Sequence, residues 1–268
     1  GVAGNLGLAG AAVLTGILAT YGGWQSAFAV PGAVSIVIGG ALFLRNRHHR
    51  TRSSQHVAPQ HNDVAAGSLR TQITAFGGIC VGALFGGLVY NVITISLPKF
   101  FDERLIGIGG DLAWIGASTG LVFAIAAFAQ LPVGELLDRY GPKSLLMGLV
   151  AAQVILLVAL ATATGWAALV IALVLVTMVF AQIPITSWLL GHYVRSSMRA
   201  RAASVEYVLS LGMGAAVVPL IAGLHGAGLG FDFQYFGIAI SAAVVLAAAL
   251  VLPRGRAVST PVHAQSAD

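Results

Sequence analysis

Charged side chains are scarce in this chain. Only 9% of its 268 residues are Asp, Glu, Lys or Arg, whereas a soluble domain carries about 25%. Hydrophobic residues make up 57% of the chain, and the mean hydropathy is +0.89. Because so few charges cannot cover a water-facing surface, the composition excludes an ordinary soluble enzyme and a disordered chain. What remains is a polytopic membrane protein built of helices.

Cysteine is nearly absent, and so are the usual catalytic motifs. Cys80 is the one cysteine, which excludes a disulfide-stapled secreted domain. The sequence has no nucleophile elbow, phosphate loop, H-E-x-x-H motif or dinucleotide fingerprint at a strand-helix junction. We therefore predict that the protein is not an enzyme and has no cofactor. A metal site is also not expected, because the histidines that cluster in one polar stretch lack regular ligand spacing; these are His48, His49, His56 and His61.

Six long runs contain no charged residue: 1–44, 71–98, 112–134, 144–194, 207–231 and 233–253. A membrane-spanning helix needs about 20 mostly apolar residues, so two of these runs are long enough for two helices each. The runs do not alternate as barrel strands do. We predict an all-α polytopic membrane protein with eight transmembrane helices, at roughly 2–20, 24–44, 73–97, 112–133, 144–163, 167–190, 203–225 and 233–252.

The distribution of basic residues predicts the orientation. With eight spans, alternate connections fall on one side, and that side holds twelve of the fourteen Lys and Arg residues. Only Lys99 and Arg104 fall on the other. The positive-inside rule then makes residues 45–72 a cytoplasmic basic linker and 254–268 a cytoplasmic tail. It also explains the net charge of +5 without a nucleic-acid partner, leaving the lipid bilayer as the expected surrounding.

The most specific motif is the short turn between the fourth and fifth spans. It contains Gly134, Leu136, Asp138, Arg139, Gly141, Lys143 and Leu146, in the pattern G-x-L-x-D-R-x-G-x-K-x-x-L. On composition alone this is a solvated turn whose basic residues fix topology. The pattern, however, strongly resembles the loop signature of the major facilitator superfamily of secondary transporters. Pro142 departs from it, since that family usually has a basic residue there.

The resemblance implies a fold and a division of the chain. Residues 73–253 would be one complete six-helix C-terminal half, and 1–44 would be the last two helices of the N-terminal half. The chain would thus correspond to helices five to twelve, a fragment lacking four N-terminal helices. Gly10-Ala11 stands where the family's antiporter signature has Gly-Pro, so the resemblance does not support antiport, and the prediction is symport or antiport.

The resemblance also implies a function. The chain would carry a small solute by alternating access as a secondary active transporter, with an ion gradient, most often protons, as the driving force. Bacterial inner membrane is the expected location. Gly134, Asp138, Arg139, Gly141 and Lys143 would form a conformational-switch loop. The alternatives are a non-transporting membrane sensor or assembly protein, or an inactive truncated transporter.

Polar residues within the spans supply the substrate-cavity candidates, because an amide or hydroxyl in hydrocarbon needs partners. In the resembled family helices seven and ten face the central cavity, and span four adds further candidates. Interhelical hydrogen bonding is the alternative role for each. Glu206, in the first inner turn of span seven, is the coupling candidate or else a helix-start acid near Arg199 and Arg201. The cavity candidates are Tyr90, Asn91, Trp114, Ser118, Thr119, Gln130, Gln182, Thr186 and Trp188.

Overall fold

A computed structural model describes residues 2–47, 69–105, 111–194 and 198–251. Every regular element in these ranges is helical, and seven helices are long and apolar enough to cross a membrane. The predicted all-α membrane fold is therefore confirmed. Most of the predicted linker and the whole predicted tail lie outside the described residues, so the proposed domain division stays a prediction.

The first helix is two helices joined by a sharp reversal. α1 runs from Val2 to Arg47, but Gly23 inside it has φ 75° and ψ 169°, a conformation open essentially to glycine alone. Across this point the Ser26 hydroxyl donates to the Leu18 carbonyl at 2.7 Å. In an unbroken helix, residues eight apart are separated by about 12 Å, so the chain must turn back here. Dividing α1 at Gly23 gives the eight apolar segments that the sequence predicts.

The third and fourth spans each consist of consecutive helical pieces. In the third, a π-helical segment, Gly82–Gly86, joins α2 to α3. In the fourth, α4 and α5 are separated only at Ala129, three residues before Pro132, whose ring cannot donate a helical hydrogen bond. The helix bounds are α2 Leu69–Val81, α3 Gly87–Arg104, α4 Leu112–Phe128, α5 Gln130–Tyr140, α6 Pro142–Thr162, α7 Gly165–Tyr193, α8 Arg199–Gly226 and α9 Phe231–Val251.

A glycine seam joins the first segment of α1 to α4. A Cβ added at Gly116 would lie 2.7 Å from the Ala12 carbonyl oxygen and 2.9 Å from the Cα of Gly16. At Gly120 the Ala9 carbonyl oxygen would be 2.9 Å away. The two helices therefore touch through their backbones, the packing that small residues permit in membranes.

Charged groups gather at the end of the bundle that is predicted to face outside. Arg104 on α3 pairs with Asp232 on α9, and His225 Nε2 on α8 lies 3.2 Å from Glu103 Oε1. These contacts bring the outer ends of three helices together. At the opposite end, Lys143 Nζ donates to the Leu250 carbonyl at 2.6 Å. The contacts at both ends are consistent with a topology in which successive spans run in opposite directions.

Candidate functional site

A partly open cavity of about 350 Å³ lies among the π-helical segment, α3, α6, α7 and α8. Most of its exposed wall is apolar, and we call it the polar cavity after the polar side chains set in that wall. This volume is at the small end of the range for small-molecule sites, roughly 300–1,000 Å³. The polar side chains around it are amides, hydroxyls and one carboxylate, set in apolar helices. They are Tyr90, Gln153, Gln182, Thr186, Ser187, Glu206, Tyr207 and Ser210.

Glycines of the π-helical segment open the cavity on one side. Gly82 and Gly86 both line it. Nothing lies within 4 Å of the position of a Cβ at Gly82, and at Gly86 the nearest atom would be Gln182 Nε2 at 3.3 Å. Since neither glycine has a side chain, this part of the third span presents backbone to the cavity. π-Helical turns within α-helices are frequent at functional sites.

Two glutamines form an amide pair at the cavity wall. Gln153 on α6 is buried, and its Nε2 donates to Gln182 Oε1 at 3.0 Å and to the Met178 carbonyl at 3.2 Å. Both α7 acceptors lie one helical turn apart, so Gln153 holds α6 against α7 and fixes the Gln182 amide. Fixing the acceptor end of Gln182 leaves its Nε2 available as a donor on the cavity side.

Glu206 is the one charged side chain among the cavity-lining residues that the structure describes. It is partly buried and makes no hydrogen bond or ion pair with any described residue. At 1.5 Å per residue it lies about 10 Å along α8 from Arg199. Tyr207 and Ser210 follow on the same helix and also line the cavity. The carboxylate thus lies about two turns into α8, without a fixed counter-ion in the described part of the chain.

Tyr90 closes the cavity toward the bundle core. It lies on α3, one helical turn beyond the π-helical segment, and its ring centroid is 5.9 Å from that of Phe180 on α7. Phe180 is fully buried and continues into Phe123 at 6.0 Å. The aromatic stack therefore separates the polar space from the apolar core.

The structure brings four of the predicted site residues to this cavity: Tyr90, Gln182, Thr186 and Glu206. Asn91 lies next to them but faces α8: its Nδ2 donates to the Gly87 carbonyl of its own helix at 2.8 Å and to the Ser210 carbonyl of α8 at 3.3 Å. This amide joins α3 to α8, the interhelical role left open by the sequence.

The other cavity candidates lie elsewhere. Trp188 stacks on His192 with ring centroids 4.5 Å apart, in a separate apolar cluster at the inner end of α7. Trp114 is in the first turn of α4, where its backbone N–H donates to Asp111 Oδ1 at 2.9 Å. Ser118, Thr119 and Gln130 are buried, and Ser118 Oγ, Thr119 Oγ1 and Gln130 Nε2 have no hydrogen-bond partner among the described residues. None of these five lines the polar cavity.

Gln153, Tyr207 and Ser210 line the cavity but were not among the sequence candidates. Sequence patterns could have identified Gln153 and Ser210. Gln153 is an amide near the middle of a charge-free span, as are Asn91 and Gln182. Ser210 follows Glu206 by four residues, which puts both on one helix face.

The predicted switch loop forms a one-residue turn. Gly141, with φ 76° and ψ 154°, ends α5 and precedes Pro142, the first residue of α6. Asp138 and Arg139 are exposed, and the Arg139 guanidinium lies 5.6 Å from the Tyr140 ring centroid. Lys143 contacts the C-terminal end of α9, where a cation is favoured by the helix dipole. No described residue pairs with Asp138. Gly134 is exposed on α5, one turn before Asp138.

Seven helices in the described part of the chain, each long and apolar enough to span a bilayer, indicate an integral membrane protein. The family model of the Major Facilitator Superfamily matches residues 1–205. Because this match covers more than half of the chain, the protein belongs to the major facilitator superfamily. No curated protein and no solved structure matches the chain.

Proposed function

We propose that this protein moves a small solute across the membrane by alternating access, driven by an ion gradient, with protons as the coupling ion. Family membership supports solute transport in general. The observation that carries the finer proposal is the polar cavity with one unpaired carboxylate inside apolar helices. An ionisable group at membrane depth is costly and marks an ion or substrate path by default.

Glu206 is the proposed coupling residue. Its carboxylate has no partner among the described residues, so protonation breaks no ion pair in that part of the structure. A charged carboxylate is stabilised by water or a cation, and a protonated one by apolar surroundings. Gaining or losing a proton therefore changes the relative stability of a water-open and a closed cavity, which is what coupling requires.

The turn around Gly141 is the proposed conformational switch. Asp138 and Arg139 are exposed at the same helix end, so they are available to contacts that form in one conformation and break in the other. Asp138→Asn removes the charge with little change of shape. We expect this variant to insert normally and to transport more slowly.

The proposed setting is a bacterial inner membrane, with the linker and the C-terminus cytoplasmic. The second segment of α1, residues 24–45, has almost no buried side chains. This fits a chain whose first two spans pack against four further helices of the same protein, as the family resemblance implies.

The test is solute uptake by the intact gene product in proteoliposomes that contain a trapped pH-sensitive dye. Amines, sugars, amino acids and carboxylic acids are added one class at a time, and proton-coupled transport changes the internal pH only for a transported class. Asp138→Asn should reduce the initial rate at equal protein per vesicle, with Glu135→Gln as the control at the same end of α5. Unchanged rates in Asp138→Asn contradict the switch, and no response to any solute favours a non-transporting sensor or assembly protein.

A further inference from the structure

The polar cavity has a chemical bias that goes beyond a generic solute site. Its described polar lining combines one carboxylate with amides, hydroxyls and two tyrosines, and includes no Lys or Arg. We infer that the solute is a small organic cation, with Glu206 as its counter-ion. This inference rests on the proposed transport function and names the substrate class of the same site.

The negative charge of the Glu206 carboxylate disfavours anionic and neutral solutes. An anionic solute would meet the Glu206 carboxylate in a partly dehydrated space with no cation in the described lining, and like charges in low dielectric repel strongly. A neutral solute would displace water from that carboxylate and leave it unpaired, which costs free energy as long as the carboxylate is ionised. An organic cation binds without this cost to the ionised form, because it replaces the lost water with an opposite charge.

The aromatic and amide groups fit the rest of such a molecule. Tyr90 and Tyr207 line the cavity from α3 and α8, and a tyrosine face attracts ammonium groups by about 0.5–2 kcal/mol. The Gln182 amide is held by Gln153 and keeps donors for an acceptor on the solute.

The proton and the cationic solute would bind the same group, the Glu206 carboxylate. In the proposed coupling this carboxylate binds a proton, and in the proposed recognition it pairs with the solute. Since one carboxylate pairs with one of them at a time, the two ligands exclude each other at this site.

The test is binding of three probes that share one aromatic ring and differ in charge. Radiolabelled benzyltrimethylammonium is the cation, benzenesulfonate the anion and benzyl alcohol the neutral probe. Saturable binding is measured on the intact gene product in lipid nanodiscs, with empty nanodiscs subtracted. We expect saturable binding of the cation alone.

Two variants locate the binding. Glu206→Gln should weaken binding of the cation about 10- to 100-fold, because the Coulombic attraction between the carboxylate and the quaternary ammonium is lost. Glu206→Asp should restore most of the affinity, which shows that the charge matters and not the fold. Glu135→Gln is the matched control: it removes the same charge from an exposed position on α5, outside the cavity, and should bind like the parent protein.

Several results overturn the inference. These are no saturable cation binding, equal binding of the anionic or neutral probe, or unchanged cation affinity in Glu206→Gln. The transport proposal fails separately. If a sugar or an acid is taken up but the cation does not bind, the cation site is rejected and the transport proposal stands. If the cation binds but no solute is taken up, the transport proposal is rejected and the cation site stands.

Discussion

Replacing Gly116 by alanine should separate the first segment of α1 from α4. The added methyl group would lie 2.7 Å from the Ala12 carbonyl oxygen, roughly 0.7 Å short of the 3.4 Å at which ordinary contact begins. The opposing atoms belong to backbone, including the Cα of Gly16 at 2.9 Å. No side-chain rotation relieves this contact, so the helices themselves must move apart.

The size of the effect follows from the packing of the seam. A gap of about 0.5–1 Å forfeits a quarter to a half of each dispersion contact across it, and overpacking of a tight site costs about 1–3 kcal/mol. Alanine at the same time gains up to about 1 kcal/mol of helix propensity over glycine. A matched control removes this second contribution: Gly148→Ala, on the exposed face of α6, where nothing lies within 4 Å of the new Cβ.

Unfolding by sodium dodecyl sulfate in mixed micelles, followed by tryptophan fluorescence, measures both variants. We expect Gly148→Ala to be as stable as the parent protein or more so, and Gly116→Ala to be less stable than Gly148→Ala by about 1–3 kcal/mol. Equal stability of the two variants would refute the seam, because the same gain in propensity would then meet no steric cost.

Two further predictions use the same unfolding assay. Gly141→Ala should lower the free energy of unfolding by about 1–3 kcal/mol, because φ 76° with ψ 154° is strained for any residue with a Cβ. An unchanged free energy of unfolding would mean that the turn is not held in this conformation. Gln153→Leu should lower the free energy of unfolding by about 1 kcal/mol, because it removes the donor to Gln182. Adding Gln182→Leu should restore part of that free energy. If the two substitutions instead lower it additively, the two glutamines are not a coupled pair.

The spans were predictable because charge-free runs of sufficient length have few alternatives in a membrane. The reversal at Gly23 falls in the break between the predicted spans 2–20 and 24–44, where Gly22 and Gly23 supply the needed glycine. These inferences use only local sequence. They required no knowledge of which helix packs against which.

The long-range contacts were not predictable. Gly16 and Gly116 are a hundred residues apart, and nothing local in either run indicates that they touch. The π-helical segment depends on one extra residue per turn between α2 and α3, which periodicity in a uniformly apolar span does not reveal. Asn91 and Gln182 were equivalent by residue type and depth, and only the rotation of the helices assigns Gln182 to the cavity and Asn91 to the contact with α8.

Access to the cavity from both sides of the membrane is the most direct test of alternating access, and it needs no known substrate. In a Cys80→Ala background, Thr186→Cys places one thiol in the polar cavity, and Thr162→Cys places one at the exposed end of α6 predicted to face outside. A membrane-impermeant maleimide is applied to right-side-out and to inside-out vesicles of the intact gene product. We expect Thr186→Cys to be labelled in both orientations and Thr162→Cys in one. Labelling of Thr186→Cys from a single side, under all conditions of pH gradient, would contradict alternating access.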